Sequence, residues 1–145
     1  MITNVIDQLK RDEGFRPTVY DDSRGFKTIG YGHNLDAHPL PDLAFPITEV
    51  QATQILGKDV ERISTFLQRQ LPWITSLDEV RHGCLTNMAF NLGVPGLLDF
   101  HHDLADTQAG NYAKAAQDMK ASEWYTEVGE RAQRLCQQME TGVWQ

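Results

Sequence analysis

No stretch of the sequence approaches the ~20 consecutive apolar residues that a membrane-spanning helix requires, so stable membrane association is not expected. The opening MITNVIDQLKRDEG also lacks a basic flank followed by an apolar run of roughly 7 to 15 residues, so self-directed export by a secretory leader is not expected. Cysteine is scarce. Only Cys84 and Cys136 occur, both at apolar positions of predicted helices, which reads as buried free thiols in preference to a disulfide and fits synthesis in the cytoplasm. Positive charge is short as well: 13 Lys and Arg stand against 20 Asp and Glu, a formal charge of -7. Phosphate binding needs a clustered basic excess, so no nucleic-acid partner is expected. No phosphate loop, nucleophile elbow or Cys–His arrangement is present. The pair His101-His102 with Asp99 and Asp103 offers ligand-type side chains, but adjacent residues point apart on a helix and no HExxH pattern accompanies them, so neither metal nor cofactor is expected.

What is present is ordinary for a folded protein: 145 residues, 41% hydrophobic and 23% charged, without repeats or low-complexity tracts. That length usually forms one domain, here expected to be α+β and mainly helical. Residues 3–13 predict a short helix with Val5, Ile6 and Leu9 inward, capped by Thr3 or Asn4 and ended by Gly14. Residues 15–33 predict a small sheet, in which 26–31 alternates, with Phe26, Thr28 and Gly30 on one face and Lys27, Ile29 and Tyr31 on the other. Pro39, Pro41 and Pro46 make 35–46 a connection. Thr48 with Gln51 forms a capping box for a long helix ending near Leu71-Pro72, with Ala52, Ile55, Leu56, Ile63, Phe66 and Leu67 as its apolar stripe. Asp59 lies on that stripe and calls for a partner, unless it reaches solvent at the edge. Ser76-Leu77-Asp78-Glu79 reads as a second capping box, opening a central buried helix to about Leu92. Shorter helices are expected over 96–107, 111–121 and 127–140, with Gly142 capping the last.

The chemistry concentrates in 12–34, DEGFRPTVYDDSRGFKTIGYGHN. Glu13 sits at a helix end, Asp22 in a turn and Thr28 on the following strand. Should the hairpin pack back on the helix end, two carboxylates and a hydroxyl would flank one cleft, the equipment for acid–base cleavage of a glycosidic bond. Each residue also has a plain reading: a solvated helix-end carboxylate for Glu13, a self-bonded turn residue for Asp22, with Asp21 as the alternative holder of that turn, and a β-branched strand residue for Thr28.

Glu13, eight residues, Asp22, five residues, Thr28, followed by TIGYGH, resembles the catalytic signature of the phage-type lysozymes, glycoside hydrolase family 24. Ile47-Thr48, Ser76-Leu77-Asp78-Glu79-Val80-Arg81, Asn87-Met88-Ala89-Phe90-Asn91, Ser122-Glu123-Trp124-Tyr125 and Arg131-Ala132 resemble the family in the same order. The resemblance implies a lysozyme-like fold filling 1–145 as one domain. A small β-hairpin lobe (about 14–58) and a helical lobe (about 60–145 plus the N-terminal helix) would be joined by the long helix. It implies Glu13 as general acid, Asp22 as the ionised carboxylate that stabilises the oxocarbenium-like transition state, and Thr28 as the hydroxyl that positions water in an inverting displacement; residue types alone do not separate inversion from retention. His33 paired with Asp59, and Arg131 paired with Glu13, are the implied supporting residues. Asn34, Phe90 and Asn91 are the implied substrate contacts, while Trp124 reads as core packing or as a sugar platform. The interval from His33 to Asp59 is short for the family, which leaves open whether the small lobe has a third strand.

The implied activity is that of a cofactor-free endolysin, a muramidase cutting the β-1,4 bond between N-acetylmuramic acid and N-acetylglucosamine in peptidoglycan. The alternatives are a lytic transglycosylase and a non-catalytic peptidoglycan-binding module. A monomer made in the host cytoplasm and released to the periplasmic wall through a holin is the implied setting.

Overall fold

The computed structural model describes all residues, 1–145. The protein is α+β and mainly helical, with one three-stranded antiparallel sheet in the order β1-β2-β3. No helix is long and apolar enough to cross a membrane. The chain divides into two compact units, one made of Ile6–Arg62 and the other of Met1–Val5 with Ile63–Gln145. From Ile6 onward the N-terminal helix groups with the sheet.

In the first unit, α1 (Val5–Glu13) buries Gln8 and Leu9 and stops at Gly14, whose φ of +72° suits a residue without Cβ. β1 (Arg16–Asp21) pairs with β2 (Lys27–Gly30) through Arg16↔Gly30, Tyr20↔Thr28 and Asp21↔Lys27, with a bulge between Arg16 and Tyr20. β2 pairs with β3 (His33–Asn34), so the third strand exists but is only two residues long. The alternation expected along β2 holds at Lys27 and Thr28, then ends: Ile29, Gly30 and Tyr31 are all buried. The physical reason is the 35–48 connection, which returns across the sheet. Ile47 N–H donates to the Pro17 carbonyl at 2.9 Å, and Ile47 and Ala52 crowd the backbone of Gly30, where a Cβ would sit 3.4 Å from that of Ala52.

The long helix α2 (Glu49–Gln70) starts as expected: Thr48 N–H donates to Gln51 Oε1 at 2.9 Å, and Gln51 N–H donates to Thr48 Oγ1 at 3.1 Å. It begins in the first unit and ends in the second. Ala52, Leu56, Asp59 and Leu67 are buried along it, but Phe66 is 47% exposed and is not part of the stripe. Leu67 takes the inward position one residue on, and the adjacent side chain points about 100° away around the helix.

In the second unit, residues Pro72–Ser76 form a 3-10 turn, so Ser76 does not cap the next helix. Asp78 does, accepting from Arg81 N–H at 2.9 Å at the start of α3 (Glu79–Leu92). α3 is the central helix, with 83–89 buried. α4 (Val94–Leu98) and α8 (Glu130–Thr141) pack against it, while α5 (His101–Gln108) packs on α6 (Tyr112–Lys120), and α6 and α7 (Glu123–Val128) pack on α8. Two helices expected as single pieces are therefore split. Phe100 leaves helical geometry between α4 and α5, its ring edge-on to that of Trp124 at 5.9 Å. Gly129, at φ +75°, separates α7 from α8, and Ser122 caps α7 by accepting from Tyr125 N–H. The core includes Leu67, Leu85, Met88, Leu97, Met119, Leu135 and Met139. Cys84 and Cys136 are buried free thiols, the former donating to the Leu135 carbonyl. Arg81 ties α8 down: its Nε donates to the Met139 carbonyl at 2.7 Å, its Nη2 to that of Glu140 at 3.0 Å, and its guanidinium lies over the Tyr112 ring at 3.6 Å.

Candidate active site

Glu13 closes α1 and is half-buried. Asp22 and Thr28 are brought together by the turn between β1 and β2. The Asp22 N–H and the Thr28 hydroxyl both donate to the Phe26 carbonyl, at 2.9 and 2.8 Å. Asp22 Oδ1 accepts from the backbone N–H groups of Arg24 and Phe26, both at 2.9 Å, which leaves Oδ2 outside the hydrogen bonds of the turn. Asp22 itself therefore holds the turn, and Asp21 does not: its carboxylate lies 3.8 Å from Lys27 Nζ instead. Thr28 is buried, and because its own proton goes to Phe26, the Oγ1 lone pairs are what it offers to another molecule.

Tyr20 joins this group although its side chain carries no motif. It stands opposite Thr28 in the ladder, with Arg16 over its ring at 4.2 Å. Burial first, then the charge of Glu13, push its phenol above the ordinary value; Arg16 opposes this and Asp22 adds to it. Glu13 and Asp22 thus act on the same phenol. No local signal marks Tyr20: its place opposite Thr28 is set by the pairing register of β1 with β2.

The expected His33–Asp59 pair is present and buried, with His33 Nδ1 donating to Asp59 Oδ2 at 2.7 Å. His33 Nε2 donates to the His38 carbonyl at 2.8 Å, so both ring nitrogens carry protons toward acceptors. Burial lowers the affinity of His33 for its second proton, but the hydrogen bond and charge of Asp59, with the His38 carbonyl, outweigh it and raise the pKa overall. Arg62 was not anticipated. Its Nη1 donates to Asp59 Oδ1 at 2.9 Å, a contact implied by the i, i+3 spacing on α2. Asn34 is half-buried at the end of β3, and its Oδ1 accepts from Ala37 N–H at 2.9 Å, so that oxygen serves a local turn.

The remaining named residues belong to the helical unit. Phe90 is half-buried near the end of α3. Asn91 Oδ1 accepts from the indole of Trp124 at 2.8 Å, and Trp124 is 5% exposed, which makes it a core residue. Arg131 Nε donates to Asn87 Oδ1 at 3.0 Å, a buried partner that the sequence reading did not single out. His101 and His102 are exposed on α5, whereas Asp103 is buried.

Comparison with known proteins extends this picture along the chain. It is 31% identical to the pre-baseplate central spike protein Gp5 of Enterobacteria phage T4, a match covering 96% of this chain and 28% of that larger protein. It is 27% identical to probable T4-type lysozyme 1 of Dictyostelium discoideum over 99% of this chain and 97% of the relative. It is 30% identical to the endolysin of Salmonella phage P22 over 63% of this chain and 62% of that protein. The phage lysozyme family model matches residues 10–140, a span that takes in Glu13, Asp22, Thr28, His33, Asp59 and Arg131, and the chain belongs to the phage lysozyme family.

Proposed function

We propose that the protein is a glycoside hydrolase of bacterial peptidoglycan, a muramidase that cuts the β-1,4 bond between N-acetylmuramic acid and N-acetylglucosamine and so lyses a host cell. The observation that carries this reading is the turn in which Asp22 and Thr28 share the Phe26 carbonyl, beside a phenol under the charges of both Glu13 and Asp22. Glu13 is the general acid: it gives its proton to the glycosidic oxygen as the C–O bond breaks. Positive charge then gathers at the anomeric carbon, and Asp22, whose Oδ2 the turn does not use, stabilises it. Water donates one O–H to Asp22 and the other to the Thr28 Oγ1 lone pair, whose orientation is set by the bond to Phe26. Attack on the sugar face opposite Glu13 gives inversion. The water proton passes to Asp22, and both carboxyls return to their starting states through solvent.

His33, Asp59 and Arg62 hold the strand end beside this turn, and Asn34 on that strand end is a sugar contact. The protein acts as a monomer without cofactor. It is made in the host cytoplasm and meets the wall in the periplasm after a holin-type pore has formed.

The test is Glu13→Gln, which keeps the shape of the helix end and removes the acid. Clearance of permeabilised bacteria should fall at least ~100-fold while the circular dichroism spectrum is retained. Undiminished clearance would overturn the assignment. Mass spectrometry of the wild-type products should show hydrated reducing ends; anhydro ends would mean a transglycosylase instead.

A further inference from the structure

The first unit contains a cavity that the reaction above does not use. It lies between the 38–43 connection and one face of α2, with a volume of about 290 Å³, and none of Glu13, Asp22 or Thr28 lines it. One part of its wall is apolar, from Leu40, Leu43 and Ile55. The other part is polar, from His38, Gln51, Gln54, Lys58 and Arg62.

The charge balance of this wall is decisive. Its one carboxylate, Asp59, is 3% exposed and already engaged at both oxygens, Oδ2 by His33 and Oδ1 by Arg62. It therefore offers no anion to a ligand. Lys58 is in no salt bridge, and Arg62 commits one N–H to Asp59 and keeps the rest of its five donors. His38 is held toward its neutral form by burial and by Arg62, so it adds polarity without charge. In a chain of net charge -7, this cavity has only cationic groups left uncompensated, beside an apolar wall. Its volume lies at the lower bound of about 300 Å³ for small-molecule pockets, which suits a fragment of dipeptide size.

We propose that this cavity is a binding site for a small carboxylate bearing a short apolar arm, specifically the D-alanyl-D-alanine end of a wall peptide. Lys58 and the free N–H groups of Arg62 take the carboxylate, the Gln54 amide and the Gln51 Nε2 group, whose Oε1 partner is held by Thr48, meet the peptide group, and Leu40, Leu43 and Ile55 receive the methyl groups. The choice of peptide rests on the wall-hydrolase reading above; the preference for a carboxylate with an apolar arm rests on the cavity alone. The site would engage the stem peptide and so add recognition that the glycan does not supply.

The test is a titration of the full chain with N-acetyl-D-alanyl-D-alanine, followed by amide NMR, with acetate and the L,L peptide as parallel arms. The expected result is saturable shifts confined to 38–43 and 51–62, with the D,D peptide binding more tightly than either control. Lys58→Glu should weaken binding about fivefold or more, since even exposed pairs are worth up to about 1 kcal/mol and reversal adds repulsion. Lys114→Glu, an equal charge reversal on α6, should leave binding as it is. Absence of saturable shifts, shifts elsewhere, or insensitivity to Lys58→Glu would overturn the site. Equal binding of acetate or of the L,L peptide would overturn its assignment to D-alanyl-D-alanine. The titration involves no catalysis, so its failure leaves the Glu13→Gln result standing, and failure of wall clearance leaves the titration readable.

Discussion

Asp103 is a carboxylate in the wrong solvent. It is 1% exposed within the helical core, its Oδ1 accepts only a long 3.3 Å contact from Thr107, and its Oδ2 has no partner. Burial raises its pKa from 3.8 to about 7; the Thr107 contact opposes this, and the charges of Asp118 and Asp106 reinforce it. The ordinary value applies in the unfolded chain, so between about pH 4 and 7 the native state holds a proton that the unfolded state has released. Stability therefore falls as pH rises through that window. A shift of about 3 units at about 1.4 kcal/mol each comes to roughly 4 kcal/mol, fully developed by about pH 8. Asp103→Asn has nearly the shape of the protonated acid and cannot ionise. The variant should match the parent within about 1 kcal/mol at pH 5 and exceed it by about 3 kcal/mol at pH 8. Urea unfolding followed by circular dichroism at pH 5, 6, 7 and 8 measures this directly, and the difference between the two proteins removes every titration they share, including those of Asp106 and Asp118. Parallel pH profiles, or a less stable variant at pH 8, would refute the reasoning.

A double-mutant cycle on His33→Asn and Asp59→Asn should give a coupling of about 2 kcal/mol. Because the folded His33 pKa is raised, that stabilisation is complete below the ordinary 6.5 and is lost as pH rises through the folded value; additivity at pH 5.5 would show that the buried pair contributes nothing. Arg81→Ala removes the donors to the Met139 and Glu140 carbonyls and the layer over Tyr112, and should cost about 3 kcal/mol in denaturant unfolding, with hydrogen exchange in α8 accelerated first. Gly83→Ala places a Cβ in collision with the Trp144 ring, so tryptophan fluorescence should shift to the red as that ring is displaced. The net stability change should stay within about 1 kcal/mol, because alanine favours the helix by a similar amount.

The sequence carried the local decisions because each depends on a few neighbouring residues. Gly14 ends α1, the Thr48–Gln51 box starts α2, and Gly142 ends α8 in the left-handed conformation, all as composition and spacing imply. The Glu13, Asp22 and Thr28 spacing pointed to the turn, and Asp59 on an apolar stripe announced a buried partner. Where a local signal had competitors, tertiary structure chose. Ser76 and Asp78 both suit a cap, and the 3-10 turn at Pro72–Ser76 leaves only Asp78 in position. Phe66 and Leu67 both suit a core, and only one can face inward at that turn of α2. Either Asp21 or Asp22 can hold a turn, and pairing of Asp21 with Lys27 in the ladder leaves it to Asp22.

The rest depends on residues far apart in the chain, which no periodicity encodes. The bond of Arg131 to Asn87, the clamp of Arg81 on the end of α8, and the burial of Asp103 within the helical core arise only when the chain closes on itself. The sequence alone determined which residues could act and where helices begin and end, through steric and hydrogen-bonding rules that reach only a few residues. Tertiary structure decided which polar atoms are satisfied and which stay exposed, because desolvation depends on everything that packs around a group.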